Sequence, residues 1–171
     1  MARQGTKQST PLPPATRYED DLYTWVQEQV ALLRAGRLSE VDAANVAEEL
    51  SDVGKSEFHK LQSAMTVLVQ HLLKWDHQPE RRSRSWMSTI DIQRSHIRDV
   101  LADNPGLKSR IGQAEMRAYR DGRQLAGGET DVDYDAFPET CPYDFETMLT
   151  RPIVYEPPLT RGKRSRSRSA K

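Results

Sequence analysis

The sequence predicts an all-α protein, a bundle of four to five helices with a long central helix and an irregular C-terminal segment. Three observations carry this. Apolar residues recur every three or four positions from about residue 22 to residue 125, the period of an amphipathic helix. One such stripe, from Val46 to Trp75, continues for about eight turns. Alternation of the strand type never extends beyond a few residues, and the short connections favour antiparallel neighbours.

The first helix is expected from about Asp20 to Ala35, with Leu22, Trp25, Val26, Val30 and Leu33 on one stripe. Gly36 follows, a residue that tolerates the left-handed conformation ending many helices. After a short break, Ser39 or Asp42 can cap the second helix, expected from about Asp42 to Trp75. Gly54 is a candidate kink or break within it. Its second half, AMTVLVQHLLKW, is apolar on more than one face and is expected to be the central core element. A third helix carries Trp86, Ile90, Gln93, Ile97 and Leu101, and Asn104-Pro105-Gly106 stops it. A fourth is expected from about Leu107 to Ala126, with Leu107, Ile111, Ala114, Ala118 and Leu125 inward and Gly127-Gly128 at its end. The stretch TDVDYDAFPETCPYDF has no helical stripe, after which Asp144 can cap a short helix through Leu149.

The formal net charge of zero conceals a segregation. Residues 161–171, RGKRSRSRSAK, carry six basic residues and no acids, and residues 1–17 carry Arg3, Lys7 and Arg17. The nine bases of the two ends leave 16 against all 25 acids in residues 18–160, a body nine charges negative. Such a body repels duplex nucleic acid, and the two ends are the only contiguous basic segments. Residues 1–17 and 151–171 are expected to be disordered tails flanking a helical domain at 18–150. No run of about 18 apolar residues is present, so no membrane segment is expected. The N-terminus lacks the apolar core of a signal peptide, and a lone cysteine fits a reducing cytosol; the expected location is cytoplasmic.

The sequence holds no convincing catalytic constellation. Cys141 sits in an acidic loop with no histidine within thirty residues, and acidic neighbours raise a thiol's pKa, the wrong direction for a nucleophile. His59, His71, His77 and His96 do not fall into the Glu-x-x-His pairs of bundle metal sites. No metal and no cofactor are expected, and the balance leans against an enzyme.

The candidate site is LLKWDHQPERRSRSWMS, residues 72–88. Arg81, Arg82 and Arg84 stand before or inside the first turn of the third helix, where the helix dipole disfavours positive charge. They need a negative partner. One reading pairs them with carboxylates of the same chain in a structural clamp. The other holds an external phosphate or carboxylate, with Trp75 and Trp86 bracketing the loop and His71, one turn before Trp75, pointing into the pocket.

The motifs YEDDLYTW at 18–25, LLRAG at 32–36, AEEL at 47–50, HLLKW at 71–75, QPERRSRSW at 78–86 and FPETCPY at 137–143 together resemble a bacterial family, domain of unknown function 29. The resemblance covers about residues 18–150. It implies an all-helical bundle and makes QPERRSRSW a family feature, but it brings no established activity and no catalytic residue. The leading functional expectation is a non-enzymatic protein–protein interaction module, with an unknown protein or a second copy as partner through the long helix. The alternative is an anion- or nucleic-acid-associated protein using Arg81 to Arg84 and the basic tails.

Overall fold

The computed structural model describes residues 16–130 and 132–156. Both basic ends, and with them most of the two expected tails, lie outside the described residues. The described chain is helical, with no strand, and divides into two compact units between Gly54 and Lys55.

The first unit is a helical hairpin. Helix α1 spans Leu22–Arg34, and Asp21 caps it by accepting the Thr24 N–H at 3.0 Å. Gly36 has φ +68°, the left-handed turn that a side chain would strain. A 3-10 turn at Leu38–Glu40 leads to helix α2, Ala43–His77. Of the two expected caps Asp42 serves, its carboxylate accepting the Asn45 N–H at 3.2 Å. Polar and ring contacts near Trp25 tie the hairpin together. Gln29, itself buried, accepts the backbone N–H of Asp42 at 2.9 Å. The Tyr18 ring packs edge-on against Trp25 with centroids 4.9 Å apart, and its hydroxyl donates to Glu49 at 2.6 Å.

The second unit is the bundle proper. It contains the rest of α2, then α3 (Arg84–Asp103), α4 (Ile111–Glu129) and α5 (Phe145–Thr150). As the sequence leads one to expect, the second half of α2 is the core: Leu61, Met65, Leu68, Val69, Leu72 and Leu73 are at most 1 % exposed. Each such side chain contributes about 1.5–3 kcal/mol of burial. Ile90 and Ile97 of α3, Ala114 and Ala118 of α4, Phe137 and Met148 close the cluster. Helix α4 crosses α2 at Gly122, where a Cβ would lie 2.9 Å from the Thr66 carbonyl oxygen and 3.0 Å from Val69 Cγ1. Glu57, the carboxylate in the α2 stripe, accepts from Asn104 Nδ2 at 3.1 Å and Lys60 Nζ at 2.6 Å.

Several expectations are corrected. Helix α2 continues through Gly54 and ends two residues later than expected. Residues Pro105–Arg110 form a 3-10 segment, so α4 starts at Ile111. It also runs through Gly127-Gly128 to Glu129, because Lys74 holds Glu129 at 2.8 Å and Thr130 donates to the Ala126 carbonyl at 2.7 Å. Leu125 is 44 % exposed, not inward. Leu50 and Val53, on the same stripe as the core residues, are 67 % and 60 % exposed. The chain past residue 150 is described through Glu156, with Ile153 and Tyr155 half-buried against the core.

Candidate functional site

Helix α2 ends at His77, a 3-10 turn occupies Pro79–Arg81, and Ser83 caps α3 by accepting the Trp86 N–H at 3.3 Å. Arg82 therefore sits between a helix end and a helix start. Its Nε–H donates to the Trp75 carbonyl oxygen at 2.8 Å, and its guanidinium lies over the Trp75 ring, 5.2 Å from the centroid. The negative partner of Arg82 is thus the C-terminal end of α2, whose last carbonyls lack helical donors and carry partial negative charge. The Arg82 contact runs to a backbone carbonyl and an indole ring. Arg81 and Arg84 are exposed. The groove beside the turn is lined by Glu80 and Glu156 as well as Arg82, so an anion there would meet two carboxylates.

The other candidate residues are brought to a different cation. Lys74, its side chain 8 % exposed, sits 4.6 Å from the Trp86 ring centroid and donates to Glu129 at 2.8 Å. Trp86 is thereby engaged by Lys74 and not by an arginine. His71 is half-buried and its Nδ1 lies 2.9 Å from the Val67 carbonyl oxygen. Burial pushes the His71 pKa down, only partly offset by that contact. Lys74 holds the Glu129 carboxyl below the ordinary glutamate value.

The C-terminal segment is tied to the bundle by charged groups that local periodicity does not reveal. Asp76 accepts the Tyr143 hydroxyl at 2.7 Å and both terminal nitrogens of Arg151 at 2.9 and 3.0 Å. Burial and this hydrogen bond to Asp76 raise the Tyr143 pKa strongly. Buried Arg94 donates to the carbonyls of Met148 and Arg151 at 2.8 and 2.7 Å, and Arg98 to that of Leu149 at 2.9 Å. These close the last turn of α5 with cations. Arg123 holds the preceding stretch, donating to the Phe137 carbonyl at 2.8 Å and stacking 4.0 Å from the Tyr134 ring.

Between α4 and this segment lies a groove of about 580 Å³, lined by Glu115, Tyr119, Arg123, Tyr134, Cys141 and Tyr143 among others. The Cys141 thiol donates to the Tyr143 carbonyl at 3.2 Å, and burial pushes its pKa up. That disfavours the thiolate, as its acidic surroundings lead one to expect. Burial, then Asp144, raise Glu115. The groove contains no histidine to serve as a base for the thiol.

The hairpin carries several exposed large apolar side chains. A groove of about 180 Å³ is lined by Trp25, Val26, Gln29, Val30, Leu33, Val46, Glu49 and Leu50, with no polar surface open to it. Leu33, Leu38, Leu50 and Val53 are 44 %, 68 %, 67 % and 60 % exposed.

The family model described as "Domain of unknown function DUF29" matches residues 17–153. The chain belongs to this family. No curated protein and no solved structure matches it. The DUF29 match takes in the hairpin, the Arg82 contact and the α4 groove together, and it stops before the basic segment at 161–171. Among the described residues of this DUF29 chain no helix is long and apolar enough to cross a membrane.

Proposed function

We propose that this DUF29 chain is a non-enzymatic protein-interaction module of the bacterial cytoplasm, working through the apolar face of the hairpin formed by α1 and the first turns of α2. One observation carries the reading. The same stripe that is at most 5 % exposed from Leu61 to Trp75 is left open at Leu50 and Val53, and Leu50 lines one groove with Leu33 of α1. Stability of the monomer gives no reason to keep large apolar side chains in water there. The arginine motif supports a structural role, since Arg82 stacks on Trp75 and closes α2. The anion- or nucleic-acid reading has support only from the charge of residues 161–171, outside the described residues.

The test compares the full chain with Leu33→Ser/Leu50→Ser and with Arg84→Ala as affinity baits in extract of the native bacterium. The expected outcome is a partner retained by the wild type and Arg84→Ala and lost by the double variant, whose melting temperature stays near the wild-type value. Equal capture by all three forms contradicts the proposal.

A further inference from the structure

The hairpin that carries the groove is acidic as a whole. Residues 17–54 carry nine acids and three bases. Two of the three bases are already engaged inside the unit, Arg17 with Glu19 and Asp20 and Arg37 with Glu40. Glu49 forms part of the groove wall, and Glu48 is exposed beside it on α2. The field at this edge registers on Tyr18, whose phenol is pushed up to about 12 by its hydrogen bond to Glu49, then by desolvation, then by the charges of Glu49, Glu48 and Asp52.

Resting on the interaction reading above, we infer that the partner seated on this groove is a cationic amphipathic helix, an apolar stripe flanked by lysine or arginine. The apolar stripe fills the space among Val26, Val30, Leu33 and Leu50, and its flanking cations meet the acids of the hairpin. A second copy of the chain fits less well, because two such hairpins bring excess carboxylates face to face. The chain's own segment 161–171 has the charge but no apolar side chain larger than Ala170, so it cannot fill the groove.

The experiment uses the full chain and two fluorescent peptides of about 18 residues, long enough for five helical turns, that share one leucine stripe. One carries lysine on its polar face and the other glutamate. Fluorescence anisotropy is expected to show the lysine peptide binding about tenfold or more tighter than the glutamate peptide, with affinity falling as salt rises. Leu50→Ser and, separately, Leu33→Ser weaken it about fivefold or more, from loss of apolar contact in the groove. Light scattering gives the oligomeric state in parallel.

Equal affinity for the two peptides, lost in both cases on Leu50→Ser, overturns the cationic partner and leaves the interaction surface standing. Lysine-peptide binding that neither substitution weakens overturns the assignment to this groove. A dimer split by Leu50→Ser, with no peptide bound, makes the occupant a second copy and also overturns the inference. A monomer that binds neither peptide counts against this inference and against the interaction reading together.

Discussion

In the motif QPERRSRSW a guanidinium lies over an indole face at the end of a helix. Arg82 serves the α2 end with one hydrogen bond to the Trp75 carbonyl and one stacked ring, and a lysine cannot do both in that geometry. Arg82→Ala is expected to lower unfolding free energy by about 1–2 kcal/mol in denaturant titrations. Arg84→Ala, at an exposed position, is expected to change it by less than about 0.5 kcal/mol. A loss of the same size for both variants contradicts the clamp. The signal for the arginines was legible, because cations at a helix start call for a negative partner. Which partner was not, because a neighbouring helix's terminal carbonyl leaves no mark in composition. Lys74 was missed for a related reason: a lysine in HLLKW reads as a solvated end, yet it is buried against Trp86 with Glu129 as counter-ion. His71 beside it gives a pH dependence. Burial depresses its pKa below its ordinary 6.5, so below that pH the unfolded chain takes up a proton that the folded chain resists. Stability is full above that value and falls as pH drops. Glu129, depressed by Lys74 below 4.5, adds a second loss in the same direction at lower pH. Thermal melts from about pH 7 to about pH 5 are expected to show a falling melting temperature, with a shallower fall in His71→Gln. Parallel curves for the two proteins count against the His71 assignment.

Helix placement followed from periodicity wherever one face is buried, which is why the core half of α2 and the inward residues of α3 were legible. Periodicity failed where its meaning changes along one helix. Leu50 and Leu68 occupy the same stripe, but one is 67 % exposed and the other fully buried. Helix α4 starts late because Pro105–Arg110 winds as a 3-10 segment, and it passes Gly127-Gly128 because Lys74 and Thr130 hold its last turn closed. The ties to the C-terminal segment were out of reach, since Asp76 and Tyr143 are 67 positions apart and Arg94 and Met148 are 54 apart. Two glycines test the packing account with opposite signs. Gly122→Ala forces a methyl against the Thr66 carbonyl and is expected to destabilise by about 1–3 kcal/mol despite better helix propensity. Gly54→Ala meets nothing within 4 Å and is expected to stabilise by up to about 1 kcal/mol. The same sign for both substitutions in denaturant titrations refutes the close α2–α4 crossing.

At the scale of the whole molecule, the bundle buries its apolar side chains and the hairpin presents several of its own. The two sets of leucines should then behave differently. Leu68→Ala, in the core, is expected to cost about 2–5 kcal/mol. Leu50→Ser, on the hairpin, is expected to leave unfolding free energy within about 0.5 kcal/mol of the wild type. The charge segregation visible in composition extends to the hairpin, since acids outnumber bases nine to three over residues 17–54. The most direct measurement of that claim is hydrogen–deuterium exchange on the full chain, with and without the lysine-bearing amphipathic peptide. The account predicts added protection confined to residues 22–34 and 43–54. Protection concentrated at residues 115–144, around the α4 groove, or at the 78–86 turn would contradict it.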